Sequence, residues 1–384
     1  MRVLVTTPTF PPHNSGLGNA ALQQALGLQR RGVDVVVATG GDRRAKETIE
    51  GIAVERFAVS GAESLLHPIR GDVTGYLAFL EGSAFDVLLL NAWQNWATDL
   101  AMRIAPQISG RKFLYSHGLS TNVFFPAQPV RSTLRFLAWR RYWWELARKS
   151  SLLDGVIALA ETGTDSRFDD VKVVRRSGTP VHIIANSASN GLQDRQLPHK
   201  SERRQIIAVG SYTWLKGFDF VLRAYAASAA RGRYPLVLYG QHHTRFTTKL
   251  RHLARRLDIS DADLVFNEGF SGQQLAAEYS RAVLVISGSR TECQPLVLID
   301  AMATGTPFVA RPTGCIADMP GGVVASSPSE AARQIDRILA DDSVWSGYSA
   351  MSIDAAATTY DAERNADLLL HLLRAPPSGP GKPA

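Results

Sequence analysis

"VLVISGSRTECQPLVLIDAMATGTPFVA", residues 283–310, contains a strand, a helix and a second strand in direct succession. "VLVISGS" (283–289) opens on an apolar run without alternation, as a strand buried on both faces requires. Pro295 suits a first helical position, because its missing N–H would be unpaired there anyway. "PFVA" (307–310) is short and apolar again. Strands alternating with helices argue for a parallel sheet of doubly wound type. The stretch therefore selects a parallel α/β architecture. It also carries two acids at unusual points: Glu292 in the polar loop, and Asp300 inside an otherwise apolar helix.

The same rhythm runs through the chain. Before residue 187 the strand-like runs are "RVLVTT" (2–7), "DVVVAT" (34–39), "VERFAV" (54–59), "DVLLLN" (86–91), "KFLYSH" (112–117), "GVIALA" (155–160) and "VHIIAN" (181–186). After residue 204 come "QIIAVGS" (205–211), "PLVLYG" (235–240), "LVFNEG" (264–269), the opening stretch and "GVVASS" (322–327). Strands alternating with helix-length segments predict doubly wound parallel sheets. The polar, Pro- and Gly-containing "SASNGLQDRQLPHKSERR" (187–204) reads as a linker. The expectation is two tandem Rossmann-like domains, 1–186 and 205–358, with a cleft between them. A final helix over 359–374 is expected to pack back toward the first domain, and the Pro/Gly-rich tail 375–384 to be disordered.

Composition fits that reading. The 384 residues are 45% hydrophobic and 20% charged, ordinary for soluble domains, and no apolar run reaches the roughly 20 residues of a membrane span. "MRVLVTTPTF" enters a strand at once without a signal peptide's long apolar region. Cys293 and Cys315 have neither metal spacing nor a disulfide framework, so a reducing cytoplasm is the expected location. A net charge of +7 is too small to argue for nucleic acid. Its placement is more informative: "RSTLRFLAWRRYWWELARK" (131–149) holds six basic residues, one acid and five aromatics. This reads first as a partly buried helix with Arg stems over aromatic core residues. The second reading is a helix lying on an anionic membrane surface.

In open parallel sheets ligands bind beyond the carboxyl ends of the strands, so the informative residues are expected just after the strands. Gly16 and Gly18 open a helix after the first strand, where free N–H groups face an approaching ligand. They lie too far from the strand for a dinucleotide fingerprint, the third glycine is missing, and the second strand ends in Thr39 rather than an acid. His117 ends the fifth strand, placed to donate a hydrogen bond to a substrate oxygen or to act as an acid. Lys216 and Gly217 immediately precede a helix, which outlines a phosphate site. At the Pro295 helix the N–H groups of Leu296 and Val297 are expected to receive a phosphate, Glu292 to reach sugar hydroxyls, and Asp300 to accept from a ribose. The plainer reading makes Glu292 a complement to the helix dipole and puts Asp300 on the helix's wet face.

"SRTECQPLVLIDAMATGTPFVA" resembles the pattern S-R-x-E-G-F-P-L-V-L-L-E-A-M-A-x-G-T-P-V-V-A of the retaining glycosyltransferases of the GT-B fold, family 4. Glu292 and Asp300 stand at the two acid positions of its E-x7-E signature. The resemblance extends over nearly the whole chain, through the glycine loop near residue 16, "HG" at 117–118, "IIAN" for I-P-N-G and "VGSYTWLKG" for G-R-x4-K-G. It implies that Gly16 and Gly18 border the transferred sugar and diphosphate, and that His117 binds near the donor sugar. By the same carry-over Lys216 neutralises the leaving diphosphate, Glu292 holds sugar hydroxyls and Asp300 the ribose. It further implies a UDP- or GDP-sugar donor, a glycan or lipid-linked acceptor, retention by front-face attack, no metal and no other cofactor, in bacterial surface-polysaccharide assembly.

Four departures from the pattern stand out. Ser211 replaces the phosphate-binding Arg, with Arg290 and Arg311 as possible substitutes, and a hydroxyl cannot replace a bidentate cation. Asp300 replaces Glu, Cys293–Gln294 replace Gly–Phe, and Ser187 replaces Gly after Asn186. They keep a non-catalytic nucleotide-sugar-binding subunit open as an alternative. A nucleotide-sugar epimerase or a glycan phosphorylase on the same fold is the other, and a nicotinamide dehydrogenase fits least.

Overall fold

The computed structural model describes residues 1–376 other than 14, 66, 162, 164, 165, 190, 191, 193–196, 270 and 271. The disordered tail expected at 375–384 therefore lies, from 377 onward, outside the described residues. Two units divide the chain: Met1–Ala185 together with the C-terminal segment from Glu363, and Asn186–Ala362.

In the first unit, hydrophobicity sorts the strands across the sheet. The strands in chain order are β1 Arg2–Thr6, β2 Asp34–Gly40, β3 Ala45–Ile49, β4 Ile52–Phe57, the short β5 Val59–Ser60 and β6 Arg70–Gly71, then β7 Val87–Asn91, β8 Arg111–Ser116, β9 Gly155–Ala158 and β10 Val181–Ile183. Among the described residues one sheet takes the order β10-β9-β8-β7-β1-β2-β4-β3. "VLLLN" of β7 is buried at every residue and lies mid-sheet, between β1 and β8. "AKETI" of β3 has an exposed, charged centre and takes an edge, where unpaired backbone is best guarded by charge. β3 alone runs antiparallel in this sheet, pairing Glu47 with Val54. Sequence reading missed it because a charged edge strand has no apolar signature.

Helices α1 Gly16–Arg30, α2 Val73–Gly82, α3 Trp96–Arg103, α4 Pro129–Ser150 and α5 Asp169–Arg176 connect these strands. In α4, helical rotation separates three consecutive aromatics. Tyr142 is buried, Trp143 is half-buried and Trp144 is exposed.

The second unit repeats the plan with β11 Gln205–Val209, β12 Leu236–Gly240, β13 Leu264–Glu268, β14 Ala282–Ser287, β15 Phe308–Ala310 and β16 Gly322–Val324. Its parallel sheet has the order β13-β12-β11-β14-β15-β16, so the strand order reverses between β11 and β14. The helices are α6 Phe218–Ala226, α7 Arg245–Arg256, α8 Gly272–Arg281, α9 Leu296–Ala303, α10 Pro328–Ala340 and α11 Asp342–Ala357. Trp345 of α11 is buried and donates its indole N–H to Val283 O at 2.7 Å, which ties that helix to β14.

The last helix, α12 Ala362–Arg374, packs in the first unit. Arg31 Nε donates to Asp367 at 2.6 Å and its Nη1 to Glu363 at 2.9 Å, and Leu369, Leu370 and Leu373 are buried. A Cβ on Gly27 would lie 2.7 Å from the Ala366 Cβ, so the missing side chain lets α1 and α12 approach closely.

Residues 187–204, read as a linker, start on the body of the second unit. Asn186 N donates to Gln294 Oε1 at 2.6 Å and Ser189 N to Asp300 Oδ1 at 2.8 Å. Part of that stretch falls outside the described residues.

Candidate functional site

β11 and β14 are the strands between which the order of the second sheet reverses, the position where open α/β sheets bind ligands. The loops that leave them are locked by two glycines facing each other. A Cβ on Gly217 would stand 1.8 Å from Gly288 O, and one on Gly288 2.1 Å from Gly217 O. Gly217 also has φ +60, in the left-handed region that favours glycine. Arg290 adds to the lock: its N–H donates to Leu215 O at 2.8 Å, and its guanidinium sits 4.4 Å from the Trp214 ring centroid. The consequence is functional. Lys216, after β11, and Glu292, after β14, meet at 2.6 Å between Nζ and Oε1. Lys216 is about one-third exposed, so water screens the pair, and it contributes orientation more than stability.

Glu292 is held from behind by a third loop. Gly314, at φ +57, would put a Cβ 2.3 Å from the carbonyl oxygens of both Glu292 and Cys293. Cys315 N donates to Cys293 O at 3.0 Å, and both cysteines are buried. Gln294, one of the departures from the family pattern, is buried and serves Asn186. Its Oε1 accepts from Asn186 N, and its carbonyl accepts from Asn186 Nδ2 at 3.2 Å.

Pro295 is the cap of α9 and not its first residue. Its ψ of 120 is extended, and its carbonyl accepts from Leu298 N at 3.1 Å and Ile299 N at 3.4 Å. The helix starts at half-buried Leu296 and Val297, whose N–H groups have no carbonyl a turn behind them. These N–H groups carry the positive end of the helix dipole, and the nearby Lys216 cation is balanced by Glu292.

Asp300 is buried, so it does not lie on a wet face. Its Oδ1 accepts from Ser189 N at 2.8 Å and its Oδ2 from Ser189 Oγ at 3.0 Å. Burial pushes its pKa up to about 6, against the opposing pull of the two Ser189 donors. Ser211 is half-buried, with its Oγ 3.4 Å from Thr213 Oγ1. The two arginines considered as its substitutes differ. The Arg290 fork is occupied by Asp219 at 2.6 Å and Trp214 O at 2.5 Å. Arg311 lies over the Phe220 ring at 5.3 Å, its pKa lowered by burial and by the neighbouring Arg290.

In the first unit the strand ends form a separate constellation. Ser15 caps α1, and its Oγ accepts from Gly18 N at 2.9 Å. The Gly18 N–H expected to face a ligand is therefore used internally. Its lack of a side chain serves packing, since a Cβ would sit 2.9 Å from Thr9 O. Gly16 is different: a Cβ there would meet nothing within 4 Å, so its approach is open.

His117 follows β8, its ring stacked on Tyr115 with centroids 5.6 Å apart and its Nε2 3.3 Å from Asn91 Oδ1. Burial, reinforced by the Arg167 charge, lowers its pKa to about 4. The imidazole is uncharged near neutral pH, so the acid role raised for it gives way to hydrogen bonding. Beside it, Ala92 and Gln94 adopt left-handed φ values of 63 and 57, strain that non-glycine residues carry mostly at functional sites. Gln94 Nε2 donates to Thr121 Oγ1 at 3.0 Å, and Tyr142 OH accepts from Gln94 N at 3.0 Å. Nothing in "NAWQN" announced this conformation, because neither Ala nor Gln is a turn signal.

Comparison with known proteins identifies the family of the fold. Residues 203–341 match the family model described as Glycosyl transferases group 1, and residues 15–165 the one described as Glycosyl transferase 4-like domain. An uncharacterized glycosyltransferase of Methanocaldococcus jannaschii is 23% identical over 368 residues, covering 89% of this chain and 90% of that protein. The sucrose-phosphate synthase of Thermosynechococcus elongatus superimposes with a TM-score of 0.76 at 18% identity, over 97% of this chain and 98% of its own. HepE of Anabaena, solved with UDP and glucose, gives 0.72 at 15% identity, over 97% and 99%. With a glycosyltransferase family model on each unit and the matching architecture in solved members, the chain belongs to the GT-B glycosyltransferases.

Proposed function

We propose that the protein transfers a sugar from a UDP- or GDP-sugar to a hydroxyl of a glycan or lipid-linked acceptor, with retention of anomeric configuration and without a metal ion or organic cofactor. The setting proposed is bacterial surface-polysaccharide assembly in the cytoplasm, peripheral to the inner face of the membrane, with no role for nucleic acid. The observation that carries the reading is the Lys216–Glu292 pair beside the start of α9. A cation and the N–H groups of a helix's first turn suit the charge that grows on a departing diphosphate. HepE, whose structure holds UDP and glucose, supports a nucleotide-sugar donor.

In this reading the bond from the anomeric carbon to the diphosphate oxygen breaks as the acceptor hydroxyl bonds to the same face of that carbon. The hydroxyl proton passes to the leaving phosphate oxygen. Lys216 Nζ and the N–H groups of Leu296 and Val297 stabilise that oxygen's charge. Glu292 fixes the donor by accepting from sugar hydroxyls, and Asp300 accepts from the ribose. His117, neutral, supplies a hydrogen bond and no proton. Gly16 leaves the backbone open to the sugar. Ser211 contributes a hydroxyl where a guanidinium is usual, which places more of the anion's stabilisation on Lys216.

The test is a thermal-shift screen with UDP, GDP, ADP and dTDP and their sugars, followed by transfer assays. Ligand at a hundred times its Kd stabilises by about 2.7 kcal/mol. Glu292→Ala should abolish transfer while the protein stays folded. Binding without transfer or donor turnover, with any acceptor class, would point instead to a nucleotide-sugar-binding subunit. Silence from all four nucleotides would overturn the donor reading.

A further inference from the structure

Helix α4 has two apolar faces, and packing within the first unit uses only one of them. Its inner face buries Tyr142 and Leu146 and directs Lys149 to Glu63. The other face is read from spacing. Residues 130, 134, 137, 141, 144 and 148 recur at alternating steps of four and three, which places them on one line along the helix. They are Val, Leu, Leu, Arg, Trp and Arg. Val130 and Trp144 are each 70% exposed, Leu134 59% and Leu137 54%, and Phe124 in the approach to the helix is 57% exposed. A single exposed leucine needs no explanation, but a contiguous row of large apolar side chains does.

The charges on this face have one sign. Arg131, Arg140, Arg141 and Arg148 are all exposed, and the Arg140 guanidinium lies 5.1 Å from the Trp144 ring centroid. Glu145, the only acid in the helix, is mostly covered and already pairs with Arg141 at 2.9 Å. No helix among the described residues is long and apolar enough to cross a membrane. An arginine-rich helix with a tryptophan and aliphatic residues on its outer line has the composition of an element that lies in a bilayer's interfacial plane.

We propose that the outer line of α4, with Phe124, docks on the surface of an anionic lipid bilayer. Leu134, Leu137 and Trp144 enter the boundary between head groups and acyl chains, and the arginines reach lipid phosphates along their own apolar stems. A second copy of the chain is the less suitable occupant. Two such faces would bring eight arginines together (four from each copy) against acids that are already paired, whereas an anionic surface attracts them. This docking stands on the surface of the first unit and is independent of the donor reading above.

Co-sedimentation of the full chain with two kinds of vesicle tests it: phosphatidylcholine alone, and equal parts phosphatidylcholine and phosphatidylglycerol. The protein should pellet with the anionic vesicles, leave the neutral ones in solution, and dissociate as salt is raised. The triple variant Arg140→Gln/Arg141→Gln/Arg148→Gln should lower the partition coefficient roughly a hundredfold, at roughly fivefold per basic residue near the surface. The corresponding lysine variant should keep it. Trp144→Ala with Leu137→Ser should weaken binding to anionic vesicles while leaving the circular dichroism spectrum and melting midpoint unchanged, since both side chains are exposed. Equal affinity for neutral and anionic vesicles, or no response to the triple glutamine variant, would overturn the proposal. So would a dimer in sedimentation velocity that Leu137→Asp dissociates, which would assign the face to a second copy.

Discussion

Asp300→Asn should stabilise the protein near neutral pH while weakening its hold on a nucleotide donor. The carboxylate is buried in α9, where among the described residues it accepts from the Ser189 N–H and hydroxyl, and its pKa rises from 3.8 to about 6. Below about pH 4 the group is protonated in both folded and unfolded chains and has no effect on the balance. Between about pH 4 and 6 the folded chain keeps a proton that the unfolded chain has lost, so stability falls as pH rises. Above about pH 6 the cost is complete, at roughly 3 kcal/mol for a shift of about two units. About half has accrued by pH 5, leaving roughly 1.5 kcal/mol to appear by pH 7.5. Asparagine has the same shape and no charge. Its oxygen can accept from Ser189 N–H, and its amide can donate to the Ser189 hydroxyl once that rotates. Urea unfolding of both proteins across this pH range gives the difference directly. It should grow by about 1.5 kcal/mol in favour of the variant, while calorimetry with the donor nucleotide shows weaker binding. A stability difference that stays flat with pH would refute the reasoning, because the carboxylate would then not be desolvated in the folded chain. Asp99 and Asp170 are likewise buried with pKa values pushed up to about 6, but they are common to both proteins and cancel in the comparison.

Lys216→Ala should cut transfer by roughly a hundredfold or more, the usual loss when a stabiliser of developing charge is removed, with a far smaller change in the melting midpoint. Gly217→Ala should destabilise by roughly 2 kcal/mol or more, because it combines a left-handed φ with a Cβ 1.8 Å from Gly288 O. Urea midpoints check this, and a neutral result would mean the two loops do not meet. The His117 imidazole should titrate near pH 4 by NMR, and kcat/KM should show no inflection attributable to it near pH 6.5. An inflection there that His117→Gln removes would restore the acid role. Arg31→Ala should cost roughly 1 kcal/mol and speed proteolysis at α12, since it breaks the bonds to Glu363 and Asp367.

The residues that could be read in advance are those whose chemistry is local. Runs such as "VLLLN" and "VLVIS" announced buried parallel strands because burial on both faces permits no polar alternation. The spacing from Glu292 to Asp300 placed one acid before a helix and the other inside it, whatever the rest of the chain did. The polar edge strand "AKETI" and the strained turn at Ala92 and Gln94 stayed hidden, since pairing with β4 and neighbouring loops imposes those conformations on residues with no such preference. Tertiary structure alone also decided how the named residues are used. Gly18 turned inward because Ser15 takes its N–H, and Asp300 was buried because Ser189 folds over it. Arg290 was committed to Asp219, and Lys216 was brought to Glu292 by two glycines distant in sequence. A sequence fixes which groups are available and their local periodicity. Which donor meets which acceptor depends on loops converging from separate strands, and only the folded chain sets those distances.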